Sequence, residues 1–550
     1  MNLLSLPQFK RNARRFEQIV RVLAKYGLAD FLRERDPDFI SRQLKSAEGE
    51  QLSKFSRAER VRMAVTELGT TFIKLGQMLS TRADLIGPDL ARELTQLQAN
   101  TPPDSWETVR ATIESELGAP VDQLFARFEE EPMASASIAQ AHRAELKDGE
   151  AVVVKVQHAG IEDTVVNDLE ILVALAELAE QHSKELALYQ PTATLGEFRR
   201  NLLAELDFGR EEQNLLKFRS NFERDETVHI PKPYPKYSAK RVLTMELMEG
   251  VPIAKTGELD AAGVDKKELA SRGVTLYLEM IFRDRVYHAD PHPGNILAMP
   301  GNVVGLLDFG MVGHLDDSTR ESFEELIHGF LLKDGELLTD CSLRLGVAPP
   351  DIDRDLLQSD LEQFIAVNLT GSLKDMDITR ALGGFTDMVR RHRVVQKPGI
   401  SLLIKVIVML DGTGRILDPD FNLAGLLQPY YKKMTERRLS PENIFRRVQK
   451  SVRDWDSLFQ SLPRDLADII RRVRRGTLDV HLEHRHLDTV TNRLAFGIVT
   501  AALFLGSTLL WHAEIPPVLF GISLPGLAGV LFSLWQVWKL WRAIKKSGGL

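Results

Sequence analysis

Between His288 and Leu297 the chain reads HADPHPGNIL, which packs two histidines, an aspartate, two prolines and an asparagine into ten residues. Asp290 and Asn295 are five residues apart, and Asp308-Phe309-Gly310 begins thirteen residues beyond Asn295. Lys155 lies upstream in the apolar run AVVVKVQ. Two carboxylates, a carboxamide and an ammonium are the parts that phosphoryl transfer requires, because that reaction depends on positioning and charge neutralisation. On this reading Asn295 and Asp308 hold Mg²⁺, a hard cation that prefers oxygen ligands. Lys155 neutralises the phosphates of ATP, and Asp290 orients or deprotonates the attacking hydroxyl or water. A rival reading uses the alternation of His288, Asp290 and His292, which on an extended segment would project to one side as metal ligands. It lacks a second ligand cluster elsewhere, and Pro291 and Pro293 point to a shaped loop instead.

The order and spacing of these residues match those of protein kinases: a lysine on a strand, an aspartate five before an asparagine, a strand pair, then D-F-G. The elements that must position them can be traced. MASASIAQAHRAEL, KDGE and AVVVKVQ read as strand, turn and strand, with Asp148-Gly149 as the turn signal. A long helical stretch runs from about Ile161 to Leu216 and offers two acids to Lys155, Glu205 and Glu211. Glu211 is favoured for Lys155, and Glu205 with Asp207 for a neighbouring helix; spacing leaves the choice open. HIPKPYPKYSAKRVLTMELMEG reads as another strand pair. Its end, TMELMEG with Glu246 and Met248, is expected to be the hinge that meets adenine through its backbone. Beyond Asp260 the pattern is mostly helical. A small sheet-bearing lobe followed by a helical lobe is an α+β arrangement. The expected boundaries are 1–105 for an N-terminal helical extension, 106–250 for the sheet lobe, 251–480 for the helical lobe and 494–538 for two terminal helices.

Those terminal segments, Leu494–Trp511 and Val518–Trp538, carry no charge. Each reaches the length of about 18 apolar residues that spans a membrane. Tryptophans near their ends suit the interface. The spacings Gly497/Ala501 and Ala502/Gly506 would let helices approach closely, and Pro525 would bend the second helix. Arginines before the pair and Lys539, Arg542, Lys545 and Lys546 after it place both ends in the cytoplasm by the positive-inside rule. The 550 residues exceed one compact domain. A net charge of −7 argues against a dedicated nucleic-acid binder, and the single cysteine, Cys341, excludes an intrachain disulfide framework.

Four further motifs accompany the phosphoryl-transfer residues: KLGQ (Lys74 to Gln77) followed by MLSTRADL, MASASIAQAH (Met133 to His142), ELDFGREEQN (Glu205 to Asn214) and HADPHPGN. With them the chain resembles the UbiB family, also called AarF, of atypical protein-kinase-like proteins, from about residue 10 to its end. The resemblance implies a bilobal kinase-like fold with a helical K-x-G-Q extension and a C-terminal transmembrane hairpin in the cytoplasmic (inner) membrane. It implies a role in ubiquinone or related prenylquinone biosynthesis, in which turnover of Mg-ATP assists the handling of lipid intermediates. Expected partners are membrane lipid, quinone-precursor intermediates and quinone-biosynthesis enzymes; a homodimer is compatible with the chain. The loop Ala134-Ser135-Ala136-Ser137 stands where ordinary kinases have glycines, so its contact with phosphate should differ. The resemblance implies altered nucleotide selectivity and suppressed autophosphorylation from this loop. It also implies that Lys74 and Gln77 lie over the active site, where a peptide would otherwise bind. No A-P-E follows D-F-G. One departure is Ala159, where the family often has proline.

Overall fold

A computed structural model describes residues 12–28, 55–97, 101–182, 191–369, 377–427, 487–513, 515–519 and 522–546. The expected end of the helical lobe, residues 428–480, and much of the expected helix before residue 60 lie outside the described residues. The chain divides into two compact units, Met1–Arg437 and Arg438–Leu550.

In the first unit, α1 (Ala13–Lys25) buries Phe16, Ile19 and Val20 at helical spacing. Helix α2 (Arg57–Leu68) opens with a capping box between Ser56 and Glu59. Helix α3 (Thr70–Ser80) carries K-x-G-Q, and Gly69 links the two at φ +92°, where a side chain would be strained. Helix α4 (Trp106–Leu117) packs Val109 and Ile113 under the first sheet.

That sheet is antiparallel. Strands β1 (Phe125–Phe128), β3 (Ala139–Leu146), β4 (Ala151–Gln157) and β6 (Val242–Glu246) lie in that order, and β2 (Ala134–Ser135) pairs with β3. Alternate residues of β4, Val152, Val154 and Val156, point into the core, so Lys155 faces the other way, into the cleft. The predicted β3–β4 hairpin turns at Gly149, φ +90°. The long helical stretch is three helices: α5 (Ile161–His182), α6 (Pro191–Glu205) and α7 (Phe208–Asn221). Asp207 accepts the Gly209 N–H at the N-terminus of α7.

The second predicted strand pair is not one. Strand β5 (Val228–His229) joins a different sheet, alongside β10, and β6 completes the first. Pro231, Pro233 and Pro235 lie between them and remove the N–H groups a ladder would need. Strand β7 (Val251–Pro252) follows the hinge and enters the second sheet, ordered β5-β10-β9-β7. Helix α8 (Lys266–Glu279) leads through a π turn to β8 (Val286–His288), the HADPHPGN loop, the hairpin β9 (Ile296–Met299) and β10 (Val303–Leu306), and β11 (Val312–His314), which pairs with β8. The long helices that follow are α9 (Asp317–Leu332), α10 (Gly335–Leu345), α11 (Arg354–Asn368), α12 (Ile378–Arg391) and α13 (Pro398–Leu417). They share one apolar core with α8 and the second sheet.

The second unit contains α14 (Leu487–His512), the short strands β12 (Val518–Leu519) and β13 (Ile522–Ser523), and α15 (Leu524–Lys546). Among the described residues one segment, Ala495–His512, is long and apolar enough to cross a membrane. The second expected span is interrupted: its first residues form the β12–β13 pairing, and the helix starts at Leu524. Pro525 therefore sits in the first turn, where its missing N–H costs nothing, and it does not bend the helix. Gly497 and Gly506 face open space, whereas Gly526 and Gly529 of α15 bring the helix against Trp511 and Ser507 of α14.

Candidate active site

The HADPHPGN loop is built around a buried histidine. The ring of His288 meets Phe309 edge-on, and its Nε2 lies 2.9 Å from the carbonyls of both Leu307 and Asp308. Its Nδ1 lies 3.2 Å from Tyr277 Oη and 3.3 Å from the Asp290 N–H. The tautomer protonated on Nε2 satisfies all four contacts. His292 is exposed and its Nδ1 accepts the Gly294 N–H, so His288 and His292 do not face one ion. Among the described residues no cluster of three or more His, Cys, Asp or Glu could hold a metal.

Asn295 donates from Nδ2 to Asp290 Oδ2 at 3.0 Å, which orients the carboxylate and leaves the Asn295 Oδ1 available to a hard cation. The Asp308 backbone adopts φ +59°, and its half-exposed carboxylate opens to the cleft. The Lys155 and Lys74 ammonium groups outweigh burial and lower its pKa to about 2. A carboxylate that stays ionised and a carboxamide oxygen fit Mg²⁺, and these two residues would hold it.

Lys155 Nζ lies 2.6 Å from Glu211 Oε1 and 3.4 Å from Asp308 Oδ1. Burial works against its charge, but Asp308 and Glu211 outweigh that and raise its pKa. The Phe309 N–H donates to the same Glu211 oxygen, and Asn214 Nδ2 donates to the Phe309 carbonyl. Phe309 packs against Phe218 of α7. The D-F-G segment is thus fastened to α7 by backbone, side chain and ring.

Lys74 of α3 pairs with Glu205 at the end of α6. Burial opposes its charge; Glu205, then Asp308 and Asp290, prevail and raise its pKa, which places Lys74 in the field of both cleft carboxylates. Gln77 does not join it. Its amide donates to the Leu97 carbonyl at 3.3 Å. The neighbouring Gly76 has no room for a methyl, since a β-carbon would lie 2.4 Å from Leu97 Cδ1. Asp207 does not hold α3 either; it caps α7.

The alanine-rich loop is braced from several sides. Thr70 at the start of α3 donates to the Ser137 carbonyl at 3.0 Å. His158 Nε2 lies 3.0 Å from the Ala136 carbonyl and 3.5 Å from Ser135 Oγ, and its Nδ1 lies 3.3 Å from Asp104 Oδ2. Ala159 donates its N–H to the same Asp104 oxygen at 2.9 Å, a bond that proline could not make. Ala134 sits on β2, paired with Ala141.

At the hinge, the Glu246 side chain turns to His229 (2.9 Å) and the Lys232 N–H (3.0 Å), and its own N–H donates to the Lys232 carbonyl. Its carboxylate is a strut of the hinge. The Met248 methyl lies where a β-carbon on Gly305 would be, so Met248 packs on β10.

Sequence reasoning missed the roles of His288, His158, Asp104 and Asn214. His288 and Asn214 stood inside quoted motifs and His158 directly follows AVVVKVQ, but nothing in their spacing shows which carbonyl each one holds.

The fold and this constellation define a kinase-like protein. Residues 96–342 match the ABC1 atypical kinase-like domain, 361–422 the UbiB helical domain and 480–544 the ABC1/UbiB kinase-like C-terminal domain. A "Probable protein kinase UbiB" of Marinobacter nauticus is 34% identical over 425 residues, covering 76% of this chain and 78% of that protein. Another of the same title from Xylella fastidiosa is 31% identical over 535 residues, 94% of this chain and 95% of that one. A solved complex of Rv3197 with erythromycin from Mycobacterium tuberculosis has 23% identity and a TM-score of 0.45, covering 71% of this chain and 97% of that chain. The chain belongs to the UbiB family of atypical kinase-like proteins.

Proposed function

We propose that this protein is a membrane-anchored ATPase that uses Mg-ATP and supports ubiquinone or prenylquinone biosynthesis by coupling nucleotide turnover to the handling of lipid intermediates. The observation that carries the ATP-using part is the link from Lys155 through Glu211 to the Phe309 backbone, with Asp308, Asn295 and Asp290 assembled around one cleft. Mg²⁺, when bound, would neutralise the phosphate charge that develops in transfer. Lys155 and Lys74 add positive charge at the same cleft, and Asp290, fixed by Asn295, is placed to accept a proton from water or a hydroxyl. Water is favoured as the acceptor over a peptide because Lys74 of the helical extension occupies the field of Asp290 and Asp308, and because A-P-E is lacking. The membrane part rests on Ala495–His512 and on the apolar residues of α15, proposed as a transmembrane hairpin with both ends in the cytoplasm. The family relatives' title, probable protein kinase, keeps transfer to another molecule as the second reading.

The test is phosphate release from Mg-ATP by the purified protein, with and without anionic liposomes and a quinone-precursor phenol, beside Asp308→Asn. Release that rises with lipid and disappears in the variant supports the reading. A labelled phosphoproduct in place of free phosphate selects the kinase. Binding of nucleotide with neither product selects a scaffold.

A further inference from the structure

Helix α13 packs against α8, α12 and β11, the strand that pairs with β8 at the entrance to the HADPHPGN loop. Near its end the buried Thr413 donates from Oγ1 to the Pro291 carbonyl at 3.2 Å. A helical threonine often returns its hydroxyl to a carbonyl of the preceding turn, as Thr66, Thr112 and Thr339 do here. Thr413 sends its hydroxyl out of the helix instead.

Pro291 is buried and has no N–H, so its carbonyl is the backbone group it must satisfy. It directly follows Asp290. Within the loop, Asp290 Oδ2 accepts from Asn295 Nδ2 at 3.0 Å, and the Asp290 N–H points to His288 Nδ1 at 3.3 Å. Thr413 reaches the loop from outside, 122 residues farther along the chain. The ring of Pro291 locks φ, so anchoring its carbonyl also limits how the Asp290–Pro291 peptide can turn.

We propose that Thr413 is a positioning residue for the transfer step: by holding the Pro291 carbonyl it sets the aim of the Asp290 carboxylate, so that a helix outside the kinase motifs controls the rate. The proposal rests on the nucleotide-using reading above. Its signature is a loss of rate without a loss of nucleotide, because Thr413 acts on the proton acceptor and not on Lys155, Asn295 or Asp308.

The experiment uses the full chain and compares Thr413→Val, which keeps the shape and removes the hydroxyl, with Thr413→Ser, which keeps the hydroxyl. Thr379→Val is the control: it removes another partly buried hydroxyl, one that donates to Asp411 Oδ2 at 2.8 Å and ties α12 to α13. Two readings are taken, phosphate or phosphoproduct formation from Mg-ATP and amide exchange of the His288–Leu297 segment. Misplacing the acceptor predicts a fall of about tenfold in kcat for Thr413→Val, with KM for Mg-ATP within about twofold. Its loop exchange should be faster. Thr413→Ser should retain most of kcat, and Thr379→Val should leave both readings at the wild-type level. Unchanged kcat in Thr413→Val, a loss carried by KM, or an equal loss in Thr379→Val overturns the proposal. A wild-type protein that forms neither product refutes the functional reading and the proposal with it, while loop exchange still shows whether Thr413 holds the segment. Should Thr413→Val fail to fold, Thr413→Ser against Thr413→Ala, which differ by the hydroxyl alone, decides.

Discussion

Lys155 and Glu211 meet at 2.6 Å, and the Glu211 oxygen that receives the lysine also receives the Phe309 N–H at 3.2 Å. One carboxylate oxygen therefore ties a strand of the first lobe, helix α7 and the D-F-G segment together. Removing it should do more than delete a charge pair. Glu211→Ala leaves Lys155 in a buried setting with Asp308 alone, and such losses typically cost roughly 3–5 kcal/mol. The expected outcome is a lowered unfolding midpoint together with faster amide exchange at Phe309 and Gly310. Normal protection there would show that the Asn214 bond and the Phe309 ring hold the D-F-G segment without Glu211.

Lys74 and Glu205 allow a charge-reversal test. Lys74→Glu and Glu205→Lys should each loosen α3, seen as faster amide exchange across Thr70–Ser80. The double variant should recover that protection, because the pair re-forms in reverse. ATP turnover should not recover, because a carboxylate at position 74 would repel Asp290 and Asp308. Full recovery of turnover would make Lys74 a structural residue.

Gly76 and Gln77 are expected to act through packing. Gly76→Ala forces Leu97 to move, an overpacking that costs about 1–3 kcal/mol. Gln77→Leu removes one bond to the Leu97 carbonyl and should cost about 1 kcal/mol. Neither change should alter Mg-ADP affinity in protein that remains folded. A Gln77→Leu protein of normal stability that has lost turnover would return Gln77 to the catalytic set.

The depressed Asp308 pKa, about 2 against an ordinary 3.8, has a defined sign. Between these values the unfolded chain binds more protons at this site than the folded one. Stability from the carboxylate is therefore fully present above the ordinary value and is lost as pH falls through the folded value. The difference in melting temperature between wild type and Asp308→Asn should be flat above pH 5, by this linkage argument, and shrink as pH drops toward about 2. A difference that is constant down to the acid end would show that Lys155 and Lys74 do not stabilise the carboxylate.

The proposed hairpin makes a topological prediction. In a Cys341→Ser background, a cysteine at Ile515 should react with a membrane-impermeant reagent applied from the outside, and one at Lys546 should not. Labelling of position 546 from outside would mean that α14 alone spans.

The sequence by itself determined the order of chemical groups. Lys155, Asp290, Asn295 and Asp308 were legible because their identities and spacings are local properties, and the β3–β4 hairpin was legible because alternation and Asp-Gly are local signals. Period and composition also marked the apolar C-terminal helices. Partner choice was not local. Glu205 and Glu211 are six residues apart, and only the break between α6 and α7 sends one to Lys74 and the other to Lys155. The same holds for Gln77, for which spacing could not show that a neighbouring leucine, rather than the cleft, would take its amide. β5 was assigned to the wrong sheet because prolines between two apolar runs show where a ladder fails, not where the freed strand pairs. The tertiary structure decided these matters because hydrogen bonds and charges pair through space, and the groups that satisfy them lie far away along the chain.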